Sequence, residues 1–97
     1  MTYVQCHYLA EFEWDAANID HIARHGVAPD ECEQAYRNGP LVIEHQLRRD
    51  ERRRLCLGET LEGRLLTFVV TERQGKIRFI TAYPMHHGQR RIYRGEA

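Results

Sequence analysis

No apolar run in this 97-residue chain approaches the ~18–20 residues that a membrane-spanning helix needs. Nor does a basic segment followed by an apolar stretch open it, so no secretion signal is expected and the cytosol is the expected compartment. Cysteine is scarce: Cys6, Cys32 and Cys56 are odd in number and far apart, which excludes a disulfide framework and a zinc-ligand spacing and fits a reducing compartment. Gly-rich phosphate loops, Cys-X-X-Cys pairs, nucleophile elbows and heptads are all missing. The common cofactor enzymes therefore find no support, and no cofactor or metal is expected. Net charge is also zero, but only as an average. Residues 1–40 hold seven acidic and two basic side chains, net −5, whereas residues 41–97 hold twelve basic and seven acidic, net +5. A cationic second half attracts nucleic acid and offers a surface that an acidic protein partner can cover.

What remains has the size and composition of one domain, residues 1–97, with a single modest core. Thr2 to Tyr8 alternate as a strand does, and Phe12 to Trp14 form the next extended piece. Asp15 then stands where a helix N-cap belongs. Trp14 at N′ and Ile19 at N4 are placed as a hydrophobic staple, and Ala16, Ile19, Ile22 and Ala23 share one face of a helix expected to run from about Ala16 to His25. Gly26 stops it. Pro29 suits the first position of a second helix, whose buried side would be Cys32, Ala35 and Tyr36, and Asn38-Gly39-Pro40 end it.

From Leu41 the period changes to alternation. Strands are expected over Leu41–Glu44, Arg53–Glu59, Arg64–Glu72 and Lys76–Tyr83, with Gly75 in a tight hairpin. Pro84 precedes a last helix, about Met85 to Arg94. The fold class is α+β: a small antiparallel sheet packed by two N-terminal helices and a C-terminal helix.

Arginine supplies the candidate chemistry. Arg48, Arg49, Arg52, Arg53 and Arg54 put five guanidiniums into seven residues, a group suited to two-pronged phosphate contacts. Arg64, Arg73, Lys76 and Arg78 lie on or beside the paired strands, where a rigid sheet fixes a cation before phosphate charge develops. Simple alternation places Arg78 with Ile80 and Ala82, and Thr81 with Tyr83 on the other face; the structural alternative for Arg78 is a cross-strand ion pair with Glu72. His86 and His87 adjoin Arg90, Arg91 and Arg94 on the last helix, and histidine serves either proton-transfer role near neutral pH. His21 and His25, one turn apart, would fit a metal edge-on but lack a third ligand at a usual spacing. His25 also suits a helix-closing position, and His45 precedes the arginine run.

Phe12-Glu13-Trp14-Asp15, His25-Gly26-Val27, Gly63-Arg64-Leu65-Leu66, Phe68 to Arg73, Ile77 to Ala82 and the Arg90-Arg91-Ile92-Tyr93 tail, in that order, resemble the BrnT family of small toxins from bacterial toxin–antitoxin pairs. The resemblance implies a RelE-like fold and a metal-independent endoribonuclease that cuts RNA by 2′-hydroxyl attack, leaving a 2′,3′-cyclic phosphate. By the same resemblance, Arg64 and Arg78 would stabilise the phosphate, Tyr83 or His87 would handle a proton, and Arg48, Arg49, Arg52, Arg90 and Arg91 would hold the RNA. It further implies a cognate antitoxin, typically a ribbon-helix-helix DNA-binding protein, through which the pair reaches operator DNA. Two positions depart from the family pattern. Asn18 and Tyr83 stand where many members carry a lysine and an arginine, which motivates the alternative of a non-enzymatic interaction module on the same fold.

Overall fold

The computed structural model describes residues 9–96; the expected strand Thr2–Tyr8, with Cys6, lies outside them. The elements run β1 (Phe12–Glu13), α1 (Ala16–Ala23), α2 (Pro29–Arg37), β2 (Leu41–Arg48), β3 (Glu51–Glu59), β4 (Leu65–Arg73), β5 (Lys76–Pro84) and α3 (His87–Tyr93). The strands form one sheet in the order β1-β5-β4-β3-β2. Among the described residues, only the β1–β5 pairing is parallel. This is the expected α+β architecture, with three helices on a mostly antiparallel sheet.

Asp15 caps α1 as expected, its Oδ1 accepting from the Asn18 amide at 2.9 Å. Both residues of the expected staple have other surroundings as well. Ile19 is 40% exposed, and Trp14 stacks flat on Phe79, with ring centroids 5.2 Å apart, while its indole N–H donates to Glu33. The side of α1 facing the protein therefore carries Asn18, His21 and the fully buried Ile22, not an aliphatic stripe. Such a polar side suits its position. Beyond Glu13–Arg78 no described strand continues alongside β5, and Asn18 Nδ2 donates to the Phe79 carbonyl at 3.0 Å. An open strand edge exposes main-chain groups that need partners, and α1 supplies one from a side chain.

Helix α2 starts at Pro29, and Glu31 accepts from the Ala28 amide, giving the poor N-cap residue half of a capping box. Its Cys32, Ala35 and Tyr36 join Phe68, Phe79 and Ile22 in the main core. Gly58 makes this contact possible: a Cβ there would meet Phe68 Cε2 at 3.0 Å and the Ala35 carbonyl at 3.1 Å.

β2, β3 and β5 exceed their expected lengths, while β4 keeps nine residues, shifted by one to Leu65–Arg73. β2 runs on to Arg48 and β3 begins at Glu51, because only Arg49 and Asp50, with φ of 52° and 66°, connect them. Both central residues at positive φ give the hairpin geometry that matches strand twist. The anticipated arginine loop is thus the tip of a regular hairpin, with Glu51 bonded to both Arg53 and Arg73. At the other end, β5 includes Pro84, and Met85 continues the ladder by donating to the Leu65 carbonyl. Helix α3 therefore starts two residues later than expected.

Between Val69 and Val70 the register shifts, so that Val69 faces Thr81 while Val70 faces Phe79. Ile80 is the extra residue of this bulge. Simple alternation is overturned there: Arg78, Thr81 and Tyr83 lie opposite Thr71, Val69 and Thr67, on one face. Glu72 pairs with Ile77 instead, so the expected Arg78–Glu72 ion pair does not form. Helix α3 crosses the Thr67 face, where Thr67 donates to Gln89 and Tyr93 donates to Glu59.

Candidate active site

Where α1 lies along the edge of β5, four rings and a hydroxyl meet. His21 Nε2 and Thr81 Oγ1 are 3.0 Å apart. The His21 and His25 rings touch edge to face at 5.3 Å, one helical turn apart, and His25 in turn meets Tyr83 at 6.1 Å. Tyr83 stacks on His86 at 5.1 Å, with 29° between the planes. Together with Met85 these residues line a cleft of about 760 Å³.

The chain order explains the meeting. Helical spacing puts His21 and His25 on one side of α1. Ordinary alternation puts Thr81 and Tyr83 on one face of β5, and the bulge at Ile80 brings Arg78 to that face. The α3 N-cap position then turns His86 back over Tyr83, held by Gln89: its Oε1 accepts from the His86 amide at 2.9 Å and from Thr67 at 2.8 Å, and its Nε2 donates to the Tyr83 hydroxyl at 3.4 Å. The arrangement offers imidazoles and a phenol, side-chain types that serve as general acids and bases.

The sequence-expected residues fall in different places. Tyr83 is in the cleft, and His87 is exposed on the first turn of α3 beside His86. Arg64 stands beside Gly26, outside the cleft lining, with Nη1 bonded to both carboxylate oxygens of Glu31, at 2.8 and 2.9 Å, and to the Gly26 carbonyl at 2.9 Å. Partial burial resists ionisation of Glu31, yet Arg64 and the Ala28 amide hold its carboxyl below the ordinary value of 4.5. Arg78 is 18% exposed and sits between two carboxylates, 2.7 Å from Asp15 Oδ2 and 3.5 Å from Glu13 Oε1. Arg48, Arg49 and Arg52 cluster at the β2–β3 tip, while Arg90 and Arg91 are exposed on α3. The guanidiniums of the sheet and the last helix thus do not converge in one cleft. From Glu51, near the tip, to Leu57, opposite Thr67, β3 spans roughly 20 Å.

Sequence reasoning missed His25, Thr81 and Gln89 as members of one cluster. The His21–His25 spacing was its visible trace, and the side chains these two rings meet across the fold are a threonine and a tyrosine. Among the described residues, no group of three or more His, Cys, Asp or Glu could hold a metal ion, and no helix is long and apolar enough to cross a membrane.

The family model described as the ribonuclease toxin, BrnT, of type II toxin–antitoxin systems covers residues 14–88. No curated protein matches the chain.

Proposed function

The chain belongs to the BrnT family of ribonuclease toxins of type II toxin–antitoxin systems, and on that premise we propose that it is a metal-independent endoribonuclease acting at the cleft between α1 and β5. One histidine or Tyr83 takes the proton from the 2′-hydroxyl, the oxygen attacks phosphorus, and a second protonated side chain delivers a proton to the departing 5′-oxygen. The products are a 2′,3′-cyclic phosphate and a free 5′-hydroxyl. The observation that carries this reading is the contact chain His21–His25–Tyr83–His86, which places several proton-transfer groups around one cavity.

Arg64, bonded to the carbonyl of Gly26, the residue after His25, is the guanidinium that would offset phosphate charge, and its Nη2 carries none of its described hydrogen bonds. Exposed Arg90, Arg91 and His87, just beyond the cleft, hold the RNA backbone. Arg78, balanced by Glu13 and Asp15, acts as a scaffold residue in this scheme. A cognate antitoxin of the ribbon-helix-helix type neutralises the enzyme in the cytosol, and operator DNA is reached only through it.

The test is cleavage of a labelled RNA by the purified chain in excess EDTA, with the new termini identified chemically. Cleavage that leaves cyclic phosphate supports the proposal; loss of cleavage in EDTA overturns metal independence. The second reading, a non-enzymatic interaction module, draws on Arg78, held between two carboxylates within the fold, and on Asn18, whose Nδ2 is bonded to the Phe79 carbonyl. Absence of growth arrest and of RNA decay on expression of the isolated chain would favour it.

A further inference from the structure

Of the fourteen Lys and Arg residues, six form ion pairs with carboxylates, and Arg54 donates to the Tyr36 hydroxyl at 3.0 Å. Arg48, Arg49 and Arg52 belong to neither group among the described residues. All three are exposed and gathered at one hairpin tip, and the nearby Glu51 is already shared by Arg53 and Arg73. A groove of about 880 Å³ lies there, with His45, Leu47, Arg52, Arg54 and Glu72 in its lining.

The same segment is the end of the sheet. β2 pairs with β3 on one side and with no described strand on the other. Its first half is irregular around Val42 and Glu44, a feature that blunts an edge. From Glu44 to Arg48, however, every residue pairs in unbroken register with β3, from Leu55 to Glu51. That half presents regular main-chain donors and acceptors, beside three unpaired cations and a Leu47 that is 68% exposed.

We propose that this edge is a docking site for an extended acidic segment of a protein partner, which adds as a further strand alongside Glu44–Arg48. Main-chain hydrogen bonds to β2 would supply affinity, Arg48, Arg49 and Arg52 would select negative side chains, and Leu47 would meet an apolar one. A protein strand fits better than single-stranded RNA, because such RNA sites rely on aromatic platforms and, among the described residues, no Phe, Tyr or Trp lines this groove. The inference is independent of the cleft and holds whether or not the chain cuts RNA.

The probe is a fluorescent decapeptide in which glutamate alternates with threonine, followed by anisotropy with the full chain. A second peptide replaces every threonine by proline, keeping the charge and removing half the main-chain N–H groups. The expected result is salt-sensitive binding of the first peptide, weakened at least about tenfold both by the proline peptide and by the Arg48→Ala/Arg49→Ala/Arg52→Ala variant. The proposal is overturned if the proline peptide binds equally well, since only charge would then matter. It is also overturned if neither peptide binds, if oligouridylate binds those arginines more tightly than the peptide, or if the chain dimerises through this edge and excludes the peptide.

Discussion

Arg78 Nη2 lies 2.7 Å from Asp15 Oδ2, and Asp15 also caps α1 through its other oxygen. One carboxylate thus fastens the start of a helix to strand β5 across 63 residues of chain. Glu13, opposite Arg78 in the ladder, supplies a second negative charge, and its Oε1 is buried without a hydrogen bond. Removing the guanidinium leaves both carboxylates uncompensated, a costlier event than losing a surface pair. Arg78→Ala is therefore expected to lower Tm by several degrees, roughly 4–8 °C for a domain of this size. Cleavage per folded molecule should change much less. A variant of unchanged Tm and abolished cleavage would return Arg78 to the chemistry.

The Asn18 amide bond and the Arg78 pair both hold Asp15 ionised below the usual carboxylate range. Glu51 is lowered as well, chiefly by its hydrogen bond from Arg53. Glu31 is lowered against its burial by Arg64. Each folded value lies below the unfolded one, so the unfolded chain binds protons first as the pH drops. The stabilisation is complete above the ordinary carboxylate values of 3.8 and 4.5 and is lost as pH falls through the lowered folded ones. Thermal scans between about pH 6 and pH 3 should show Tm falling steadily below about pH 4.5. Glu31→Gln should flatten part of that slope; an unchanged slope would remove the Arg64–Glu31 pair from the account.

Much of the architecture was legible because the punctuation is local. Asp15, Pro29 and Gly75 act through their own backbone geometry, and each marks its element where expected. The bulge at Ile80 was not legible, since its residues carry no special turn chemistry and the extra residue is fixed by pairing with β4. That one insertion reassigns Arg78 to the face of Thr81 and Tyr83. Charge was legible as a total but not as a map. Which arginine meets a carboxylate depends on contacts between residues as distant as 31 and 64, or 15 and 78. The histidine cluster was half visible, as a spacing along α1 whose partners only the fold could name.

Gly58 is a prediction about packing. A methyl group at this position would stand 3.0 Å from the Phe68 ring and 3.2 Å from Ala35 Cβ, with the Ala35 carbonyl at 3.1 Å. Two of the three obstacles belong to α2, so relief requires the helix to move outward. Gly58→Ala should destabilise by about 1–3 kcal/mol, measured by urea unfolding. A neutral result would mean that α2 shifts freely on the sheet.

Cys32 and Cys56 are fully buried, and burial pushes their thiols up to about 12 and about 11. Only the thiolate reacts with alkylating agents, so neither should be modified at neutral pH while the chain is folded. In a Cys6→Ser background, iodoacetamide should label neither cysteine in native buffer and both in guanidinium chloride. Rapid native labelling would show that α2 opens from the sheet.

Tyr83 is the sharpest test of the cleft. Its ring lies between those of His25 and His86, and its hydroxyl accepts from Gln89. Tyr83→Phe keeps the ring contacts and removes only the hydroxyl, so Tm should barely move. If the phenol transfers a proton, kcat should fall roughly 10²–10⁴-fold with KM nearly unchanged. His25→Ala and His86→Ala separate the remaining roles: each should lower kcat, and the double variant should lose less than the product of the two if the rings act as one unit. Should all three variants cut RNA as fast as the parent, the reaction does not occur in this cleft, and exposed Arg90, Arg91 and His87 on α3 become the next place to look.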